Sequence, residues 1–518
     1  MILNINYSLV LFSFSCNDLS VISEKKVFKY NEISEINTLD PIYSRDLAHV
    51  WVVSQLYNGL VTFDTNMQII PSVAKSWSIS ENKLEYRFNL NTNVCFHSSE
   101  FFKKENRRVI ADDFVYSFDR ILDKNNLSPG KWVFNLVDKY YSTNDSTLII
   151  KLIEPFSPFL GILAMQYCSV VPHEVVENSN FNKNPIGTGP FKFHKWDYGN
   201  KLVFRKNDNY FENNLPYLDG ISISFIKDKN TAFLKFLQGD LDLVSGLDES
   251  YIDELLNDNR QLRESYKQRF KLKKTSYLNT EYLGFLINDS SIIDNNLRKA
   301  INCGFDREYM IKYLRKDIGQ PASKGFVPNG MNSFAKEYDS YKYNIELAKK
   351  FLENSKYQGQ EIKLNTTSSY LSLCEYIQKS LSEIGINISI EVNPPYVHRQ
   401  MVASNKLNFF RGSWIADYAD PENYFALFYS KNLTPNGPNY FNFNDSKFDS
   451  LYKLSVSLND LNERNKVFKK MNDIIEEKSV LVPLYYDEVN RFYSNDLSDF
   501  KTNSFNALLL KEAKKNIK

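Results

Sequence analysis

The sequence predicts a mixed α/β protein with at least two lobes, and three observations carry that expectation. The chain has 518 residues, past the roughly 250–300 at which a single hydrophobic core stops growing. Along it, segments of alternating apolar and polar residues give way repeatedly to segments with apolar residues at three-to-four spacing. No internal repeat and no low-complexity linker interrupts this alternation, so strands crossing between the lobes are expected to join them.

The N-terminus stands outside that alternation. Ile2 to Phe14 is a short, mostly apolar run, too short to span a bilayer and of the length of a secretory h-region. It ends at Ser13-Phe14-Ser15-Cys16, and a small residue before a cysteine resembles the lipobox of bacterial lipoproteins, in which the cysteine carries the lipid. That resemblance implies a signal peptide over 1–16, lipidation at Cys16 and a polar tether from Asn17 to Glu24. A buried first strand is the alternative.

Further on, Leu84, Tyr86, Phe88 and Leu90 alternate with polar residues as in a strand. A helix is predicted from Ala111, with Asp112 and Asp113 in its first turn. Ser146 to Ile153 reads as a strand. Asp294–Cys303, Tyr343–Leu352, Ser369–Ile384 and Asp460–Ile475 have helical spacing, and Asn387–Val392 reads as the next strand. Gly187-Thr188-Gly189-Pro190 lacks the following Gly-Lys-Ser/Thr of a phosphate loop and reads as a tight structural turn.

Composition narrows the function. With 63 basic and 62 acidic side chains, the chain has no electrostatic footprint for nucleic acid or anionic lipid. Cys95, Cys168, Cys303 and Cys374 are widely separated and lack CxxC spacing, and the histidines form no HExxH pair, so no metal or cofactor is expected. The absence of GxSxG and P-loop patterns argues against an enzyme, although a dispersed triad leaves hydrolysis open.

The segment from Arg411 to Pro421 holds a cation, a large aromatic and a carboxylate just after the apolar run Leu407–Phe410. A strand end opening into a loop is where α/β proteins place ligand groups. Asp420 precedes Pro421 and a helical pattern, so it reads as a helix cap. Asp417 has no such local role and is the candidate for meeting a ligand cation. Trp414 beside it reads as a pocket wall.

Several motifs together resemble the extracytoplasmic solute-binding proteins of ABC importers, in the dipeptide and oligopeptide branch (bacterial solute-binding protein family 5). They are Ala74-Lys75-Ser76-Trp77 through Ala111–Ser117, then Asn184–Phe191 with Arg205–Phe211, Leu237–Asp242, Leu297–Ile301 with Asp306-Arg307, and Val482-Pro483-Leu484. The resemblance implies a two-lobed periplasmic-binding-protein-like clamp (class II) with an additional subdomain in lobe one. By analogy lobe one takes 28–61, 185–272 and 486–518, the inserted subdomain 62–184, and lobe two 273–485.

In peptide-binding members an aspartate three residues after a tryptophan holds the peptide's α-amino group, and Trp414 with Asp417 reproduces that spacing. The resemblance therefore implies Asp417, Trp414, Arg411, Ser413, Ile415 and Tyr116 as ligand-binding residues. Ser413 and Ile415 would act through their backbones, and Arg411 would meet either a ligand carboxylate or an ion-pair partner. Tyr116 and Arg399 are weaker candidates. The implied partners are a short peptide, an ABC permease and a lipid anchor at the membrane surface, for a monomer located in the periplasm or cell envelope. Within the same family the alternative ligands are oligosaccharide, nickel complex or haem.

Overall fold

The computed structural model describes residues 26–245, 249–287, 293–331 and 334–516. The expected leader, Cys16 and the tether lie outside these residues.

Most predicted elements are present, and their ends are set by local chemistry. The helix Ala111–Leu122 starts where the Asp113 carboxylate accepts from the Ile110 N–H at 2.8 Å, satisfying an otherwise free donor. Asp294, Asn344 and Asp460 stand just before Asn295–Cys303, Ile345–Glu353 and Leu461–Lys478 and cap them, each side chain accepting from the backbone N–H three residues on. Thr147–Leu152 and Ile388–Val392 are strands as the alternation predicts.

The main sheet has 11 strands. Across it run Ile388–Val392, Ile362–Thr366, Phe409–Ile415, Phe270–Phe285, Leu481–Ser494, Leu243–Ser245, Val27–Asn31, Gly220–Ser224, Lys201–Lys206 and Phe191–Asp197, while Gln320–Pro321 pairs off this path. Two long central strands, Phe270–Phe285 and Leu481–Ser494, pair antiparallel from Phe270↔Ser494 to Gly284↔Leu481. Their register shifts between Ser276 and Thr280, and such an irregularity bends and twists the ribbon. These two strands cross from one half of the molecule to the other.

Each half has its own core. Phe28, Leu202, Phe204, Ile221 and Ile223 pack beneath one end of the sheet. Leu283, Phe285, Leu364, Ile388 and Phe409 pack at the other. A separate four-stranded antiparallel sheet, Ala74–Ile79, Glu85–Leu90, Thr147–Leu152 and Val137–Asn144, packs against the helix Ala111–Leu122 around Phe88, Phe114, Phe118 and Ile150. Tyr418, far away in sequence, is buried in this third core.

The turn at Gly187–Pro190 is structural. Gly187 accepts from the His97 N–H, Gly189 donates to Leu56, and a Cβ at Gly187 would stand 2.1 Å from the Leu56 oxygen. Its backbone groups are therefore committed to the protein itself. Among the described residues no helix is long and apolar enough to cross a membrane, and no group of three or more His, Cys, Asp or Glu is placed to hold a metal ion.

Candidate functional site

The strand Phe409–Ile415 runs five residues beyond the Leu407–Phe410 segment that the sequence marks as a strand end. Its antiparallel partner Phe270–Phe285 holds it extended as far as the Asn279↔Ile415 pair. On its other edge it meets Ile362–Thr366 only at Asn365↔Phe410. From Arg411 to Ile415 that second edge has no strand partner among the described residues.

The pairing register decides which backbone groups face the open edge. Leu286 donates to Asn408 and Ala416 donates to Leu278, both in line with the strand register, so even-numbered residues bond to the partner strand. In an antiparallel pair the alternate residues turn their N–H and C=O outward. Ser413 and Ile415 are such residues, and both are exposed. Arg411 is another, and its outward carbonyl accepts from His398 Nε2 at 2.8 Å.

Just past the strand, Asn423 joins the two side chains singled out in the sequence. Its Oδ1 accepts from the Trp414 indole N–H at 2.9 Å, and its Nδ2 donates to Asp417 Oδ2 at 3.4 Å. Trp414 is half-buried, bordering the core of this half. Asn423 sits on the short helix Glu422–Phe425. Asp420 starts that helix by accepting from the Glu422 N–H at 2.9 Å, and is held by Arg464 through two bonds of 2.7 Å.

Asp417 remains accessible to solvent. Even so, burial by the surrounding protein pushes its carboxyl above the ordinary carboxylate range, and the Asn423 bond only partly offsets this. A group that touches water but is crowded on most sides lies in a recess. No Lys, Arg or His among the described residues forms an ion pair with it. Its charge reaches the hydroxyls of Tyr424 and Tyr440 on its own half and of Tyr167 on the four-stranded subdomain. Burial, then Asp417, push the Tyr167 phenol up to about 12. The next residue packs on the four-stranded subdomain: Tyr418 stands 6.5 Å from Trp132 between ring centroids, and nearby Ser157 donates to Val456.

Arg411 forms an internal ion pair. Its guanidinium binds Glu281 and lies over the Tyr370 ring, with side chains only 11% and 2% exposed for Arg411 and Glu281. Tyr116 is not brought to this group. It packs edge-on to His173 at a centroid distance of 5.8 Å and lines a depression of about 430 Å³ with Asp119, Arg120 and Glu177. Arg399 lies on the helix Pro395–Ala403, which reaches the strand through His398.

Three residues of the site carry no clear sequence signal. Glu281 and Tyr167 come to it only through tertiary pairing. Asn423 has the one available cue, its place in the first turn after Pro421.

The profile of the bacterial extracellular solute-binding proteins, family 5 Middle, matches residues 68–436. Heme-binding protein A of Haemophilus influenzae is 26% identical over 458 residues, covering 83% of this chain and 81% of that protein. Probable di/tripeptide-binding protein 5 of Pseudomonas aeruginosa is 24% identical over 476 residues, covering 87% and 88%. Among solved structures, the ABC transporter-associated periplasmic binding protein DppA from Helicobacter pylori in complex with peptide STSA matches with a TM-score of 0.78 at 24% identity, over 95% of this chain and 99% of that one. The shared architecture is the two-lobed α/β clamp of periplasmic binding proteins.

Proposed function

This chain belongs to family 5 of the bacterial extracellular solute-binding proteins, and on that premise we propose that it captures short peptides between its lobes and delivers them to an ABC permease. The observation that carries the reading is Asp417, a carboxylate in a crowded recess with no cation among the described residues paired to it. An ionised acid that the closing clamp cuts off from water is costly unless a ligand charge meets it, and a peptide ammonium supplies charge-assisted hydrogen bonds. The outward backbone groups of Ser413 and Ile415 would pair with the ligand's own amides, giving affinity without side-chain selectivity.

Lobe one is taken as 28–61, 185–272 and 486–518, its subdomain as 62–184 and lobe two as 273–485, joined through the two long strands. Ligand bound to both lobes favours the closed state, because only that state makes both sets of contacts, and the permease reads the closure. Lipidation at Cys16 would keep the clamp at the membrane surface of the periplasm or envelope.

Haem is the second reading, favoured by the 26% identity to a heme-binding relative. Haem propionates are anionic and would leave Asp417 unpaired, which is why peptide is preferred. Mass spectrometry of ligand released from the purified protein separates the two. Short peptides in the released fraction, together with stabilisation by di- and tripeptides in thermal melts, are the expected result. Co-purified haem without peptide would reject the proposal.

A further inference from the structure

The helix Ser446–Ser457 of lobe two runs into extended backbone at Leu458. The last four carbonyls of a helix have no partner inside it, and here each finds one elsewhere. Leu454 accepts from the Ser457 hydroxyl and Ser455 from Arg464 Nε, both at 2.9 Å and both within lobe two. Val456 and Ser457 are served from the four-stranded subdomain instead. The Ser157 N–H donates to the Val456 carbonyl at 2.8 Å, and Lys83 Nζ donates to the Ser457 carbonyl at 2.5 Å. The Ser157 hydroxyl donates to the Leu458 carbonyl just past the helix, with the Val456 oxygen at 2.9 Å and Asn459 Oδ1 at 3.3 Å also in reach.

Lys83 stands in the turn between Ala74–Ile79 and Glu85–Leu90, and Ser157 stands ahead of the short helix Phe159–Leu163. A lysine suits a helix C-terminus, because its charge meets the negative end of the helix dipole. Apolar contacts follow the same seam. Val456 packs against both the subdomain core and the core around Phe425 and Phe468. Met67, between the strands Val61–Phe63 and Ile69–Pro71, packs against that second core, and Phe63 lies 5.0 Å from Phe505 between ring centroids. The bonds from Lys83 and Ser157 end on Val456 to Asn459, and none of them reaches Trp414, Asp417 or Asn423.

We infer that Lys83 and Ser157 form a latch: they cap the lobe-two helix only when the clamp is shut, and so raise the affinity for any ligand without touching it. When the lobes part, the Val456 and Ser457 carbonyls and the Lys83 ammonium return to water, which makes the exchange mild and reversible. Contacts made in one of two states shift the balance between them by the free energy of those contacts alone. Ligand affinity then follows the population of the competent state. The latch presupposes the closing clamp proposed above, and it serves peptide or haem alike.

The test compares the full wild-type chain with Lys83→Met/Ser157→Ala, which keeps an unbranched side chain at 83 and the backbone amide at 157. A latch made only on closure leaves the urea midpoint of the ligand-free protein unchanged. Calorimetry should then show Ala-Ala and Ala-Ala-Ala weakened by the same factor, about three- to thirtyfold, the worth of one or two lost hydrogen bonds. Stopped-flow mixing should place that factor in the dissociation rate. Unchanged affinity overturns the inference, and so does a lowered ligand-free midpoint, because the contacts would then be a permanent seam. Unequal losses for the two peptides overturn it as well, since the pair would then act on the ligand itself. If wild type binds neither peptide, the peptide reading falls, and the ligand-free midpoint with the same titration using hemin decides the latch.

Discussion

The Asn423 side-chain amide donates to Asp417 while its oxygen holds the Trp414 indole, so one buried residue sets both the acid and the aromatic wall of the recess. The position of Asp417 depends on a neutral partner, and no cation among the described residues pairs with its charge. Asn423→Ala strands the indole N–H and removes that support. It should lower unfolding free energy by about 1 to 3 kcal/mol and weaken peptide binding about tenfold, read by denaturant unfolding and calorimetry.

Asp417 itself should trade stability for binding. Burial raises its carboxyl in the folded chain, so ionisation there opposes folding once the pH exceeds that raised value. Asp417→Asn should therefore melt at or above the wild-type temperature near neutral pH. A markedly lower melting temperature would mean that the carboxylate serves the fold.

The Arg411–Glu281 pair should behave in the opposite way. Both side chains are nearly buried, so Arg411→Met leaves Glu281 as an uncompensated charge and should cost about 3 to 5 kcal/mol. The double variant Arg411→Met/Glu281→Gln should recover most of the loss. Urea unfolding of the two single variants and the double one completes the cycle, and additive losses would exclude coupling.

Glu422 predicts a pH dependence. Burial lifts its carboxyl from 4.5 to about 7, with the Tyr418 and Tyr452 hydrogen bonds and the Arg464 charge offsetting part of the rise and Asp420 adding to it. The folded chain then holds a proton that the unfolded chain releases. The stabilising contribution is complete below the unfolded value of 4.5 and is lost as the pH rises through about 7. Glu422→Gln should flatten the stability profile over that window, measured by urea midpoints at stepped pH. An unchanged slope would show that other groups set it.

The open edge at Ser413 and Ile415 predicts sensitivity to ligand backbone chemistry. Methylating one ligand amide nitrogen that faces this edge should cost about 0.5 to 1.5 kcal/mol of affinity, the worth of one neutral hydrogen bond. Calorimetry over a set of singly N-methylated peptides should find at least one such position, and uniform tolerance would argue against strand pairing.

The fold was readable because its elements follow from local pattern: caps such as Asp294 and Asp460, and alternation such as Tyr86–Phe88–Leu90, act within a few residues. The site was readable in part. Trp414 and Asp417 are close in sequence, and the capping role of Asp420 follows from Pro421. The ion pair of Arg411 with Glu281 spans 130 residues and depends on the register between two strands, which no short-range pattern encodes. The extension of the strand to Ile415 has no short-range signal either, because its partner strand stabilises it. Tyr167 reaches Asp417 only through packing of the subdomain on the second lobe.

The pairing of Asp417 with a ligand ammonium is tested most directly by comparing a tripeptide with its N-acetylated form, on wild type and on Asp417→Ala, by calorimetry. Wild type should bind the free amine more tightly by about 3 to 5 kcal/mol, roughly a hundredfold to a few thousandfold, and Asp417→Ala should bind both forms equally weakly. Equal binding of the free and acetylated peptides by wild type would contradict the account.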